Sequence, residues 1–245
     1  NFGNVAQGGS RDKSFTVTNG GGVTATAMSG AGISAPFTYK DGVYPGTGGT
    51  CSTSLPATQS CTIVVNYNPT TVAVHNSTIE MNYHNGLIAA VSSRNVTGTG
   101  VTPAILDLSD SPHVDFGTVA TGGFIERSVT VTNNGNFAAT SIAGAGLDAP
   151  YTFKGGTYPG TGGSCLTTLN IGASCTIIVR FAPTGTGAQN DTIEISYNNG
   201  ASGQTSTRDV QGIGAAPALI GITDAPFYDY GTLAIGGTKE RIFTL

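Results

Sequence analysis

Alternation of apolar and polar residues is the clearest pattern along the chain. The segment CTIIVRF alternates from Cys175 to Phe181, and CTIVVNY alternates in the same way from Cys61 to Tyr67. A period of two residues predicts half-buried β-strands whose cysteine faces a core. The segments TIEISY and TIEMNY predict a second pair of strands by the same rule.

Asn-Gly steps follow the TIEISY and TIEMNY segments, at Asn199-Gly200 and Asn85-Gly86. Asn-Gly is the preferred pair for the two central residues of a type I′ hairpin turn, which both need a positive φ. The next strand is therefore expected to be antiparallel. Further strands are predicted at Ala104–Leu108, Val114–Val119, Ser128–Thr132 and Arg208–Gly212. About seven short strands per unit predict an all-β chain of immunoglobulin-like sandwiches.

A tandem repeat organises the chain. FGNVAQGG begins at Phe2, FGTVATGG at Phe116 and YGTLAIGG at Tyr230, so the copies are 114 residues apart. Self-similarity at a fixed period indicates an array of like units. We predict three segments: residues 1–102 are a repeat that lacks its first strand, 103–216 are a complete repeat, and 217–245 begin a third.

Composition narrows the classes of partner. Only 10% of the residues are charged, the formal net charge is −4, and the basic residues are scattered singly. A binder of nucleic acid or anionic lipid needs a basic patch, so neither partner is expected. Since no apolar run is long enough to cross a bilayer, no membrane insertion is expected of this segment.

The four cysteines form two equivalent pairs, Cys51 with Cys61 and Cys165 with Cys175. No histidine or further cysteine lies at zinc-site spacing beside them, so one disulfide per repeat is the simplest interpretation. Structural disulfides persist in oxidising compartments. The sequence therefore predicts an extracellular or cell-surface protein.

These motifs resemble those of a known family. The series FGxVxxGG, SVTVTNNG, SCTIxVxFxPT and RxVxGxG is similar to bacterial choice-of-anchor D repeats, relatives of the ASPM/SPD-2/Hydin and major-sperm-protein class of sandwiches. The resemblance covers the complete repeat and most of the first. It implies an Ig-like fold in long secreted or surface proteins, where such repeats act as spacers, stalks or adhesive modules, and it brings no catalytic residues.

The sequence contains only weak signals for a metal site or an anion site. The GTGG loops lack the Lys-Ser/Thr of a phosphate-binding loop, so a glycine-rich loop beside a disulfide is the simpler interpretation. The histidines are interpreted as solvated turn residues: His75, His84 and His113. Acids near the joint between repeats are candidate calcium ligands or ordinary polar edge residues. They are Asp107, Asp110 and Asp115, with Asp224 and Asp229 in the next copy. No cofactor or metal is expected.

Tyr44 and Tyr158 are the candidate ligand-facing aromatics, since an exposed ring offers a sugar an apolar face. Core packing or loop anchoring is the alternative role for both rings.

A non-enzymatic extracellular structural protein, forming a stalk, fibre or surface filament, is the function that these features favour. Its expected partners are neighbouring repeats and, in a filament, copies of itself. Two alternatives stay open: an adhesin module that binds glycan or protein through its loops, and an accessory region of a secreted hydrolase. The segment from Pro217 indicates either a piece of a longer array, which the sequence favours, or a strand donated to a neighbouring subunit.

Overall fold

Two β-sandwiches make up the computed structural model, which describes residues 1–222 and 226–244. The first contains β1 (Asn4–Ala6), β2 (Arg11–Thr18), β3 (Thr26–Ala31), β4 (Phe37–Tyr39), β5 (Ser60–Tyr67), β6 (Val74–His84) and β7 (Ala89–Val101). The second contains β8 (Leu106–Leu108), β9 (His113–Ala120), β10 (Ile125–Asn133), β11 (Ala139–Ala145), β12 (Tyr151–Phe153), β13 (Thr168–Leu169), β14 (Ser174–Phe181), β15 (Gly187–Asn198) and β16 (Gly203–Ala215). The predicted all-β fold is confirmed.

The two sandwiches share one topology, but among the described residues only the second has strands in the positions of β8 and β13. The larger sheets have the orders β1-β7-β6-β3 and β13-β11-β15-β16-β9. Strand β1 pairs in parallel with β7, and the equivalent strand β9 pairs in parallel with β16. The smaller sheets have the orders β2-β5-β4 and β12-β14-β10-β8. Strand β8 pairs with the edge of β10, Leu108 opposite Val131 and Leu106 opposite Asn133. In the first sandwich β2 is the edge strand.

Each sandwich has its own aromatic core. In the second, Tyr151 stacks on Phe181 with ring centroids 4.7 Å apart, and Phe116 meets Tyr151 edge-on at 5.4 Å. In the first, Phe37 stacks on Tyr67 at 4.5 Å and Phe2 takes the edge-on place. The period-two alternation of the strands places these rings inward, where they are almost wholly buried.

The hairpin turns differ from the sequence prediction. Asn85 and Ile88 close the first turn, so its central residues are Gly86 and Leu87, and only Gly86 has a positive φ, of 94°. The Asn85 carboxamide accepts hydrogen bonds from the backbone of Leu87 at 2.8 Å and Ile88 at 2.9 Å. Asparagine therefore begins the turn, and glycine occupies the first central position, as in a type II′ turn. Asn199-Gly200 repeats this arrangement.

The segment after the second sandwich holds no strand among its described residues, 217–222 and 226–244. Its apolar side chains include Ile220, which is 75% exposed, and Ile222, which is 59% exposed. Asp224, one of the candidate calcium ligands, lies outside the described residues.

Candidate functional site

A disulfide ties a loop to the core strand of each sandwich. Cys51 bonds to Cys61 and Cys165 to Cys175, with 4.8 Å between the Cα atoms in both. All four cysteines are buried, and Cys61 and Cys175 lie on the inward side of β5 and β14. The predicted disulfides are confirmed.

The GTGG loops pack on the neighbouring strand. A Cβ added at Gly46 would lie 2.1 Å from the Val64 carbonyl oxygen, and one added at Gly160 would lie 2.3 Å from that of Ile178. Both glycines also have a positive φ, which only glycine adopts without strain. The amides of Gly46 and Gly49 donate to carbonyls within the loop, so they do not converge on an anion.

Tyr44 and Tyr158 lie against the cores beside these loops. The Tyr44 ring meets Tyr39 edge-on at 5.5 Å, and the Tyr158 ring meets Phe153 at 5.6 Å. Burial raises the pKa of both hydroxyls, and the Tyr158 hydroxyl has no hydrogen-bond partner in the part of the chain that the structure describes. Both side chains are only partly exposed, so their ligand-facing role stays a prediction.

The histidines do not share one environment. His75 lies within β6 and not in a turn, and its ring nitrogens are 2.8 Å from the Tyr67 hydroxyl and 3.0 Å from that of Thr71. The prediction of a turn was wrong for His75, because β6 pairs with β7 along all eleven of its residues and His75 lies opposite Gly98 in this ladder. His84 ends the same strand and is exposed.

The acids near the joint have local partners. Asp107 forms an ion pair with Arg208 at 3.4 Å, Asp110 accepts from Ser109, and Asp115 accepts from the Gly117 amide. Within residues 1–222 and 226–244, no three His, Cys, Asp or Glu side chains are grouped as a metal site requires. Those residues also contain no helix that is long and apolar enough to span a membrane.

A charged cluster repeats on the smaller sheet of each sandwich. In the second, Glu126 pairs with Lys154 at 2.8 Å and with Arg180 at 2.6 Å. Hydrogen bonds from Lys154 and then Arg180 hold the pKa of Glu126 below its ordinary value of 4.5. Asp12 and Lys40 form the equivalent pair in the first sandwich at 2.9 Å.

Glu126→Gln is expected to destabilise the second sandwich near neutral pH and to have less effect in acid. Because the folded pKa of Glu126 is depressed, its stabilisation is present above the unfolded value of 4.5 and is lost as pH falls through the folded pKa. Urea unfolding of the native chain and the variant at about pH 6.5 and about pH 3 measures this difference. A difference in unfolding free energy that stays constant with pH would contradict the assigned pairing.

The connection between the sandwiches is hydrogen-bonded at both ends. The Gln7 amide donates to Val101 at 2.8 Å, which fixes the end of β7 to the first sandwich. The Ala104 amide donates to Asn199 at 3.0 Å, and the Thr102 carbonyl accepts from Asn136 at 3.1 Å. The linker therefore has backbone partners in both sandwiches and is not a free tether.

Direct contact between the sandwiches accompanies this linker. The β1–β2 turn of the first sandwich meets the β15–β16 turn of the second, a contact we call the junction, formed by Ala6, Gly8, Gly9, Gly200 and Ala201. A Cβ added at Gly9 would lie 2.5 Å from the Gly200 carbonyl oxygen. The junction therefore depends on an approach of backbone to backbone that a larger residue prevents.

A groove runs beside β2 at the edge of the first sandwich. Its volume is about 270 Å³, and we call it the open edge. It is lined by Val17, Thr18, Asn19, Met28, Leu55, Met81, Tyr83 and Ser92, among others. In the second sandwich the equivalent place is occupied by β8, which leaves Val131 and Tyr197 buried, whereas Val17 and Tyr83 are partly exposed.

Sequence reasoning missed the side chain at the centre of this edge. Asn133 is completely buried, and its carboxamide bonds Ile105, Gly135, Phe137 and Leu169 at 2.8–3.3 Å. It lies in the run Asn-Asn-Gly, and Asn and Gly are residues typical of exposed turns. The signal that could have found it is the identity of Asn133 and Asn19 between copies, next to a strand that ends in each.

Comparison with known proteins identifies an Ig-like domain. A family model described as HYDIN/CFA65/VesB-like, Ig-like domain matches residues 104–213, which are most of the second sandwich. The Ig-like prediction is confirmed there, and the narrower choice-of-anchor D resemblance stays a prediction. A search of curated proteins finds no match.

Solved structures with related folds are distant. A protein of unknown function from Porphyromonas gingivalis W83 is 13% identical, over 83% of this chain and 91% of its own, with a TM-score of 0.36. VesB protease from Vibrio cholerae is 19% identical over 45% of this chain, with a TM-score of 0.36, and the match spans only 32% of VesB. Titin domains I67-I69 are 12% identical over 86% of this chain and 62% of theirs, with a TM-score of 0.34.

Proposed function

We propose that the chain is a non-enzymatic structural protein of the cell exterior, whose sandwiches stack end to end as a stiff segment of a stalk, fibre or surface filament. The junction is the observation that carries this proposal. A linker bonded on both sides and a glycine-to-glycine contact restrict bending, and restricted bending is what a spacer requires.

The disulfides support the extracellular part of the proposal. Both disulfides join a loop to the central strand of their sandwich, and structural disulfides persist in oxidising compartments. Because the disulfides oppose local unfolding of the sandwiches, the protein should be cleaved more slowly by secreted proteases.

Gly9→Ala tests whether the junction restricts bending. The new methyl group would overlap the Gly200 carbonyl, and relieving such an overlap costs about 1–3 kcal/mol, enough to separate the two turns. Spin labels at Ser93→Cys and Thr207→Cys, equivalent exposed sites on the two sandwiches, report their separation. We expect a narrow distance distribution in the otherwise native chain and a broad one with Gly9→Ala.

Gly123→Ala is the matched control. Gly123 is the equivalent turn residue of the second sandwich, and its added Cβ would meet only its own turn, 3.1 Å from the Ala120 carbonyl, as that of Gly9 meets Ala6. The distribution should stay narrow in this variant. If Gly9→Ala leaves the distribution as narrow as Gly123→Ala does, the junction does not hold the sandwiches together.

An accessory domain of a secreted hydrolase is the second candidate. The family description that matches residues 104–213 names VesB, and VesB is a protease in Vibrio cholerae. Mass spectrometry of the native polypeptide separates the candidates. Peptides of a catalytic domain in the same polypeptide would favour the accessory role, and peptides of further repeats alone would favour the structural one.

A further inference from the structure

One hairpin turn has a histidine ring on the amide of its Asn-Gly step. The Gly86 amide donates a hydrogen bond to Nδ1 of His84 at 3.2 Å. A ring nitrogen that accepts a hydrogen bond carries no proton, so it is a base that faces this amide. Among the described residues, no other glycine amide donates to an imidazole. The chain has four Asn-Gly steps, which begin at Asn19, Asn85, Asn134 and Asn199.

The same turn holds the side chain of Asn85. Its carboxamide oxygen accepts from the Leu87 amide at 2.8 Å and from the Ile88 amide at 2.9 Å. Two donors on one oxygen stabilise the negative charge that develops there when a nucleophile adds to the carboxamide carbon. The backbone of the turn therefore acts on the Asn85 side chain as an oxyanion hole.

These groups are the ones that the conversion of asparagine to aspartate requires. The amide nitrogen of the next residue adds to the carboxamide carbon and closes a five-membered ring, and it must lose its proton to do so. Glycine has no Cβ to shield this nitrogen. A positioned imidazole accepts such a proton as a general base. His84, the Gly86 amide and the Asn85 carboxamide thus provide the base, the nucleophile and the electrophile.

The second sandwich has the same turn without the base. The Asn199 oxygen accepts from the Ala201 amide at 2.9 Å and from the Ser202 amide at 2.8 Å. The Gly200 amide donates at 2.8 Å to the side-chain oxygen of Asn198, which is the residue equivalent to His84. A carboxamide oxygen accepts a hydrogen bond but does not remove a proton at neutral pH. The hydrogen bonds of the two turns therefore differ at the group that starts the reaction.

We infer that Asn85 is a self-modification site, where His84 promotes conversion of the asparagine to aspartate and isoaspartate. Nδ1 of His84 takes the Gly86 amide proton, and the amide nitrogen bonds to Cγ of Asn85. The carboxamide C–N bond then breaks, and its nitrogen leaves as ammonia with the proton that the imidazolium returns. Water adds to one of the two carbonyl carbons of the resulting succinimide and opens the ring. The inference does not rest on the proposed structural role.

The modification changes both the charge and the backbone of the turn. Each product has a carboxylate in place of a neutral carboxamide, which adds one negative charge. In isoaspartate the main chain runs through the former side chain, so that side chain no longer accepts from the Leu87 and Ile88 amides. The same change at Asn199 would place a charge in the junction, where Gly200 packs against Phe137 and Ala6. Asn198 provides no base for it.

Timed incubation of the native chain tests the inference. The folded chain is kept near neutral pH, and samples are digested with pepsin in acid, which stops further conversion. Mass spectrometry then follows the mass gain of amide-to-acid conversion in the peptides that contain Asn85 and Asn199. A general base contributes about 10²–10⁴-fold when fully aligned. Since 3.2 Å is a long hydrogen bond, we expect Asn85 to convert about tenfold faster than Asn199.

His84→Asn is the matched variant, because asparagine is the residue that the second sandwich has at this position. It removes the base and keeps an acceptor for the glycine amide, as Asn198 does. His84 is exposed at the end of β6, so the variant keeps its fold. We expect conversion of Asn85 to slow about tenfold, while Asn199 in the same chain converts at its native rate. An unchanged Asn85 rate, or equal rates at Asn85 and Asn199 in the native chain, would overturn the inference.

The same incubation in urea separates the folded turn from the local sequence. In the unfolded chain the His84 ring is not held on the Gly86 amide, so the native chain and His84→Asn should convert Asn85 at similar rates. A variant that slows conversion as much in urea as in buffer would show that the effect belongs to the neighbouring residue type. The base assigned to the folded turn would then be wrong.

Discussion

Asn133→Ala is expected to lower the free energy of unfolding of the second sandwich by about 3 kcal/mol, because it leaves several buried backbone groups without partners at once. The carboxamide oxygen accepts from Ile105 at 3.3 Å and Gly135 at 3.0 Å, and its nitrogen donates to Phe137 at 2.8 Å and Leu169 at 3.1 Å. An alanine methyl group replaces none of these bonds. Hydrogen exchange measured across a urea series reports the loss for each sandwich separately.

Asn19→Ala is the control for this prediction. Asn19 makes equivalent bonds to Gly21, Val23 and Leu55, but it is partly exposed beside the open edge, so water can replace its side chain. We expect a loss of about 1 kcal/mol in the first sandwich of the dilute chain. If the two substitutions cost the same, burial under β8 does not set the effect of Asn133.

Replacing Cys165 and Cys175 together by alanine is expected to cost about 2.5–3 kcal/mol, because the disulfide closes a loop of about eleven residues in the unfolded chain. The cysteines are separated by 10 positions, and both are buried. Protection from hydrogen exchange should fall throughout the second sandwich and stay unchanged in the first. A loss confined to the loop 160–174 would show that the disulfide orders only that loop.

The Cys51→Ala/Cys61→Ala double variant is the corresponding experiment on the first sandwich. The sequence separation and the Cα distance of 4.8 Å are the same in both disulfides, so the loss from loop closure should also be the same. The first sandwich starts from a smaller core, because no strand formed by residues 1–222 or 226–244 covers its open edge. Its unfolding midpoint in urea should therefore be the lower of the two after the change.

Local pattern was enough to predict the long strands. The alternation from Cys175 to Phe181 predicted the inward side of β14, and the burial of these residues follows it. The same rule placed Val64 of the first sandwich outward, yet Val64 is buried. The loop that contains Gly46 and Gly48 packs over this side of β5, and an alternation within one strand does not show which loops return to cover it.

Elements that depend on distant residues were not predicted. Strand β11 contains Ser141 with a positive φ of 53° and a shift in register, so its pattern does not alternate regularly. Strand β12 is only three residues long, and it forms because β14 provides an edge. The Asn-Gly pair was predicted to occupy the centre of its turn from a dipeptide preference. That preference does not show the hydrogen bond that the Asn85 side chain accepts from the Leu87 amide, which places Asn85 at the start of the turn.

The candidate site was predictable only through the repeat. Comparison of the two copies showed that they share the residues along this edge, but the sequence did not show that Tyr197, Ser206 and Arg208 bind the backbone of Leu106–Leu108. Such bonds join residues about 100 positions apart, so no local pattern reports them. The same limit applies to the junction, whose contact depends on two turns that meet only in the folded chain.

Small-angle X-ray scattering from the intact chain in dilute solution tests the central claim most directly, which is that the two sandwiches stack end to end and do not bend freely. The account predicts the scattering curve of one elongated particle. The curve calculated for two sandwiches held at the junction should match the measured one, and Gly9→Ala should change the measured curve. A curve that requires a compact side-by-side particle, or an ensemble of independently oriented sandwiches in the native chain, would contradict it.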